Sequence, residues 1–377
     1  MLVVPLPNDD TQVDHRSANP FIRYRTRLFS HRVARAANMA DGELVSIIDG
    51  LNDAVAAVAG AGFAVTPCRS WPGLADAVGV RELWAKDETD NVSGSHKGRH
   101  LMGLAIWLEL RGRLGVIDDG PLAIASCGNA ALAAAVVARA LRRPLEVFAP
   151  TWADTNVVRA LEDAGASVTT CERMDGQTGD PCVAAFRTAV AAGAVPFGCT
   201  GPDNGLTIDG GRTIGWELSE QAPTLTRVDV QVGGGALGTA LGDGLRVGGL
   251  PRLYAVQSEG CAPFDRAFRR VEASGLADAV AHRSTAMWPW EAAPHSSATG
   301  ILDDETYDWA GLAEAILDSG GASIVTSEAN IERAAALASE WTGRDADPTG
   351  SAGLAGVLAV PADPRDRLGI ILSGVRR

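Results

Sequence analysis

A chain of 377 residues is too long for one minimal core and implies two domains. It is 46% hydrophobic with 43 glycines, a small-residue composition that suits close packing of helices on a sheet. The formal charge of −13 leaves no basic surplus to neutralise phosphates, which excludes a nucleic-acid partner but not small anions held by local amides and single cations.

The start, Met1-Leu2-Val3-Val4-Pro5-Leu6-Pro7, lacks the basic region of a signal peptide, and no apolar run reaches the length of a membrane span. A soluble, cytoplasmic protein with no membrane association is therefore expected. Residues 1–40 read as an irregular arm, with an arginine-rich patch (Arg23-Tyr24-Arg25-Thr26-Arg27) lying on the body of the protein or on a partner. Residues 41–60 have helical spacing, Thr66-Pro67-Cys68 reads as a turn, and Glu82–Lys86 as a strand. From residue 121 strands and helices alternate: strand 121–125, helix 129–143, strand 145–149, helix 155–164 with Asp154 as its cap, strand 167–171 and helix 183–192. A second alternating set follows: helix 212–220, strand 228–232, a glycine turn and helix, strand 253–257, and a helix from Phe264. After a long loop (282–300) come strand 323–326, helix 330–341, a helix 349–360 opened by Pro348, and a final strand 368–372. Apolar strands of this length between helices predict parallel sheets covered on both faces, an α/β fold of two three-layer domains. The six cysteines (Cys68, Cys127, Cys171, Cys182, Cys199, Cys261) form no CxxC and read as reduced, mostly buried thiols. The six histidines show no metal-ligand spacing, so no metal is expected.

Three stretches carry chemistry. Ser93-Gly94-Ser95-His96-Lys97-Gly98-Arg99 sets a lysine in a Gly/Ser-rich loop that opens an apolar helix. Amides and the helix dipole gather there and favour an anion over a second cation, a setting suited to a nucleophilic, Schiff-base lysine. Taken alone, the stretch also reads as a surface lysine beside a turn. Ser126-Cys127-Gly128-Asn129 lies at the C-terminal end of a strand and opens a helix, the edge at which open α/β sheets bind ligands. Ser126 and Asn129 suit a carboxylate or a phenolic oxygen there, and ordinary helix capping explains them too. Gly233-Gly234-Gly235-Ala236-Leu237-Gly238 runs from a strand into a helix and offers bare amides to a phosphate. It also fits the dinucleotide fingerprint, with Glu259 about where a ribose-binding acid belongs, so an NAD-dependent dehydrogenase is a competing expectation. A tight turn with no ligand is the third.

In their order along the chain these stretches resemble the fold type II pyridoxal phosphate enzymes, the tryptophan synthase beta superfamily. Asn91–Arg99 resembles the family's N-P-T-G-S-F-K-D-R, Ser126–Asn129 its S-x-G-N loop, Gly233–Gly238 its phosphate loop and Leu372-Ser373-Gly374 its cofactor-nitrogen site. The resemblance covers roughly residues 65–377. Within the family the chain is most similar to threonine synthase, through Ile208–Glu217 (E-G-x-K-T-x-x-x-E) and Ser297–Ile301 (I-A-x-G-I). It departs from the pattern at His96 (usually Phe), Gly98 (usually Asp) and Thr207, where the family has an arginine for the substrate phosphate. Arg212 and Lys86 are the cations that remain for that task.

The resemblance implies a large cofactor domain (1–100 and 197–377, including the arm), a small domain (101–196), pyridoxal 5'-phosphate in the cleft between them, and a homodimer. It implies a lyase acting on a small amino acid through an external aldimine, eliminating or replacing a β- or γ-leaving group. Lys97 would hold the cofactor and act as base. Asn129, Gly233, Gly234, Gly235, Ala236, Leu237 and Ser373 would bind the cofactor, and Ser95, Ser126, Cys127, Gly128 and Asn129 the substrate. A non-catalytic ligand-binding protein on the same fold is the alternative that His96 and Gly98 suggest.

Overall fold

The computed structural model describes residues 12–116, 118–174 and 179–375; the expected start of the arm, residues 1–11, lies outside them. The described strands are β1 (Cys68–Ser70), β2 (Glu82–Asp87), β3 (Leu122–Ala125), β4 (Leu145–Pro150), β5 (Ser167–Cys171), β6 (Val195–Pro196), β7 (Arg227–Gln231), β8 (Arg252–Ser258), β9 (Ala322–Thr326) and β10 (Arg367–Leu372). They form two sheets, each in its own unit. The first unit comprises residues 12–65 and Asn91–Thr213, the second Thr66–Asp90 and residues 214–375. Among the described residues no helix is long and apolar enough to cross a membrane.

The first unit holds a parallel sheet in the order β5-β4-β3-β6. In β4, Leu145 and Val147–Ala149 are buried; β5 is an edge strand, so its threonines stay largely in solvent. The helix Asn129–Ala140 buries five alanines and Val137. Such small side chains let it lie close against the helices Asp41–Ala59 and Lys97–Arg113.

The second unit's sheet runs β1-β2-β10-β7-β8-β9, with β1 antiparallel and the rest parallel. Alternation along β10 shows why it is a central strand. Leu368, Ile370 and Leu372 share a core with the helices Glu328–Thr342 and Pro348–Ala359. Ile371 points the other way, into the core of Val228, Val230 and the helices Ala236–Leu245 and Trp309–Ser319. Each such aliphatic side chain contributes about 1.5–3 kcal/mol on full burial, and a strand fed from both faces gains twice over.

Several local expectations are corrected. Residues 20–36 are not irregular: they form helices Pro20–Arg23 and Phe29–Ala36 around a 3-10 turn, Arg25–Arg27. The Asn19 side chain accepts from the Phe21 amide (2.9 Å), and Phe21 and Tyr24 are fully buried. The arginine patch packs on its own unit: the Arg25 guanidinium forks onto Asp41 (2.9 and 2.8 Å), and Arg23 and Arg27 stack on the Tyr24 ring. Cys68–Ser70 is a strand, not a turn. The helices Pro72–Val78, Leu276–Ala281 and Trp309–Ser319 were not anticipated, and Leu206–Gln221 starts six residues before the expected Arg212. Of the six cysteines only Cys182 and Cys261 are buried; the other four are half-buried.

Candidate functional site

In the first unit, Asn91 caps the turn Val92–Gly94, its side chain accepting from the Val92 amide (2.8 Å). Ser93 (φ 61°) and Gly94 (φ 71°) are both left-handed, and for Ser93 that conformation costs roughly 1–2 kcal/mol. The double twist turns the chain into Ser95, which is buried, and then into the helix Lys97–Arg113, whose first residue is Lys97. The Ser95 hydroxyl accepts from the Lys97 amide at 3.4 Å, and the Lys97 side chain is half-buried. The Val92–Gly94 turn packs on both the helix that Lys97 opens and the helix that Asn129 opens. The unit thereby brings the lysine loop and the Ser126–Asn129 loop together. Ser126, Cys127, Gly128 and Asn129 are all half-buried at the C-terminal end of β3, where the Ser126 amide donates to the Phe148 carbonyl (3.2 Å).

Residues 96 and 98, where the chain departs from the family pattern, are both buried. A Cβ on Gly98 would stand 3.1 Å from the Phe63 ring and from the Val92 carbonyl oxygen, a tight fit that a larger residue would have to relieve by a small shift of Phe63. Phe63 in turn meets Phe21 edge-on at 5.3 Å. The His96 ring stands edge-on to His100 at 5.7 Å. His100 Nδ1 lies 2.7 Å from the Thr207 carbonyl oxygen, which can only accept, so the proton is on Nδ1. Burial first, then the charges of Lys97, His100 and Arg99, hold His96 well below the usual histidine range. Folded His96 is therefore neutral, whereas in the unfolded chain it takes up a proton below about pH 6.5. Its contribution is fully present above that pH and is lost as the pH falls below it, by about 1.4 kcal/mol per unit. Urea midpoints between pH 7.5 and 5 should fall less steeply in His96→Phe than in the parent; equal slopes would contradict a buried neutral imidazole.

In the second unit, Gly233–Gly235 follows β7 and leads into the helix Ala236–Leu245. A Cβ at Gly233 would collide with the Asp303 carboxylate and stand 2.9 Å from Ile301 Cα. Gly235 has φ 92°, and a Cβ there would stand 2.8 Å from Thr306 Cγ2. Only glycine fits this turn, and the helix begins with no side-chain cap. The first-turn amides of Ala236 and Leu237 thus stand at the positive end of a ten-residue helix. Ser373 follows β10, which pairs in parallel with β7, so Ser373 and the glycine turn share one sheet edge. Gln231 ties that edge together, its Nε2 donating to Gly350 O (3.1 Å) and Ile371 O (3.2 Å), while the Ser373 amide donates to Gly350 O (3.1 Å).

Sequence reasoning missed a buried polar network in this unit. Lys86 is 0% exposed; its ammonium donates to Glu217 Oε2 (2.5 Å), Thr66 O (2.6 Å) and Gln221 Oε1 (2.8 Å). The Thr66 hydroxyl donates to Glu88 (2.5 Å) and its amide to Glu217 (3.1 Å). The one local signal was a lysine directly after the apolar run Leu83-Trp84-Ala85 of β2. Lys86 is consequently unsuited to a substrate phosphate, and so is Arg212, in the first unit, which is 2% exposed and paired with Asp209 (3.1 Å). The whole sequence contains two lysines, Lys86 and Lys97.

Residues 61–374 match the family described as pyridoxal-phosphate dependent enzyme. The chain belongs to this family. A threonine synthase of Methanosarcina acetivorans is 26% identical over 303 residues, 78% of this chain and 68% of the relative. The threonine deaminase of T.th. shares the fold with a TM-score of 0.67 at 24% identity, over 87% of this chain and 98% of that one. Maize serine racemase does so with a TM-score of 0.65 at 21% identity, over 87% and 92%. The cofactor of the family is pyridoxal 5'-phosphate, and the bare glycine turn at a helix N-terminus fits its phosphate. The dinucleotide expectation for Gly233–Gly238 is overturned. Glu259, which it needs for a ribose, instead accepts from the Glu328 amide (3.2 Å).

Proposed function

We propose that the protein is a lyase that eliminates or replaces a β- or γ-leaving group on a small amino acid, with Lys97 as its cofactor-binding lysine and base. The observation that carries this reading is the fate of the two lysines. Lys86 is sealed among three acceptors, and Lys97 opens a helix, half-buried, beside the Asn129 loop. Pyridoxal phosphate, when bound, supplies the electron sink for charge left at the substrate Cα. The chain's own residues do the rest. Lys97 would hold the cofactor through its amine and, as a free amine, would accept the Cα proton of the substrate. The amides of Gly233, Gly234, Gly235, Ala236 and Leu237 take the phosphate, and Asn129 takes the ring hydroxyl. Ser95 and the Ser126–Gly128 loop orient the substrate carboxylate. Ser373 offers the ring nitrogen a neutral hydroxyl rather than a carboxylate, which favours expulsion of a leaving group over reactions that need a long-lived carbanion. The threonine synthase relative and the threonine deaminase and serine racemase neighbours agree with a small amino acid as substrate.

Thr207 narrows the substrate. Its side chain is fully buried, and Arg212 in the same unit is held by Asp209. A dianionic phosphate needs a cationic partner. Phosphohomoserine is therefore expected to bind at least about tenfold more weakly than a free or O-acetylated hydroxy amino acid, a difference of about 1.4 kcal/mol. Absorbance titrations with the three substrate types, followed by assay of released ammonia, 2-oxo acid and threonine, test both specificity and reaction type. Tight binding and efficient conversion of phosphohomoserine to threonine would contradict this assignment.

A further inference from the structure

The second unit holds a cavity of about 230 Å³ where β1 meets the end of β2. Arg69 on β1 pairs with Ala85 on β2, so the two side chains project from one face of the sheet, and Ala85 is too small to fill the space there. Leu372, the last residue of β10, pairs with Asp87 on the other side of β2. Ala85, Asp87 and Leu372 are the buried part of the lining; Trp71 and Arg344 are half-buried, and Arg69 is exposed. Arg344 arrives there because the helix Glu328–Thr342 ends at Gly343, whose left-handed backbone (φ 63°) turns the chain back toward β2.

The spare hydrogen-bonding capacity of this cavity lies with donors. Asp87 Oδ1 accepts from the Thr89 amide (3.0 Å) and hydroxyl (2.6 Å), and Oδ2 pairs with Arg344 Nε (2.7 Å). The Thr342 hydroxyl donates to Ala338 O (2.5 Å) and accepts from the Arg344 amide (3.2 Å). Arg344 Nη1 donates to Asp90 (2.7 Å), which leaves Nη2 without an acceptor among the described residues. The Arg69 guanidinium has no acid and no other acceptor among them.

We propose that this cavity binds a small monocarboxylate, with the carboxylate on Arg69 and Arg344 Nη2 and the apolar body against Trp71, Ala85 and Leu372. The planar fork of a guanidinium matches a carboxylate and adds charge to each hydrogen bond. One negative charge suits the site, because Asp87 and Asp90 already meet the charge of Arg344 and only that of Arg69 is left over. The volume is that of roughly eight water molecules, room for an acid with a short aliphatic chain.

The full-length protein, purified with its cofactor, is titrated calorimetrically with 3-methylbutanoate and with its neutral isostere 3-methylbutanamide. Neither probe carries an amine that could take the place of Lys97. The parent should bind the carboxylate at least about tenfold more tightly than the amide. Arg69→Gln should reduce that preference to less than about threefold. Arg69 is exposed and pairs with no acid, so the substitution leaves the fold alone, and the ratio of the two affinities cancels any general effect that remains. A parent that binds neither probe, or binds both equally, overturns the inference. A preference that Arg69→Gln leaves unaltered places the carboxylate elsewhere and overturns it too.

Discussion

Lys97→Ala is expected to lower turnover by about 10²–10⁴-fold, the range that a positioned general base commands. The loss should be one of chemistry and not of folding. Lys97 is the first residue of its helix, where alanine is well tolerated, and its side chain is only half-buried. The turn that positions it is built by Asn91, Ser93, Gly94 and Ser95, none of which the substitution touches. Exchange of the substrate Cα proton with solvent, measured in single turnover beside the thermal midpoint, separates the two. A variant that keeps more than a tenth of the parent's exchange rate would show that another group removes the proton.

Glu217→Ala should destabilise the second unit by about 3–5 kcal/mol, because it strands a buried charge. Lys86 and Glu217 are both fully buried, and the same carboxylate also receives the Thr66 amide. With alanine at 217 the ammonium keeps only the Thr66 carbonyl and Gln221, and the Thr66 amide loses its acceptor. A paired apolar replacement, Lys86→Met with Glu217→Leu, should restore most of the loss, since a well-packed apolar pair dispenses with the desolvation of both charges. Urea unfolding of the two variants checks this. A single variant within about 1 kcal/mol of the parent would mean that water reaches Lys86. Lys86 lies on β2, whose last residue, Asp87, begins the acidic turn that precedes Asn91 in the chain. The Arg344 guanidinium holds that turn at Asp87 and at Asp90, both at 2.7 Å.

The parallel strands were legible because their signal is local. Runs such as Leu145–Pro150 and Arg367–Leu372 are apolar on both faces and bounded by turns, and a doubly covered strand needs little more. Glycine turns at strand ends were legible for a related reason: a turn such as Gly233–Gly235 has no room for a side chain. Helices stabilised by tertiary contacts were less visible. Arginines among Phe21, Ile22 and Tyr24 disguise a buried anchor as a charged tail, because their guanidinium groups stack on the ring they hide. Gly205, Gly210 and Gly211 argue against a helix by propensity. Yet Gly210 is where the backbone of Leu206–Gln221 meets Gly103, a Cβ at 103 standing 2.7 Å from Gly210 Cα. The Lys86 network was hidden for a different reason. Its members lie in three separate stretches, Thr66, Lys86 with Glu88, and Glu217 with Gln221, and only the fold brings these together.

The most direct test of the account is borohydride reduction of the purified protein, followed by proteolysis and peptide mass mapping. With two lysines in the chain the result is close to binary. The pyridoxyl mass is expected on the peptide containing Lys97, with Lys86 unmodified. Modification at Lys86, or at neither lysine, would contradict it.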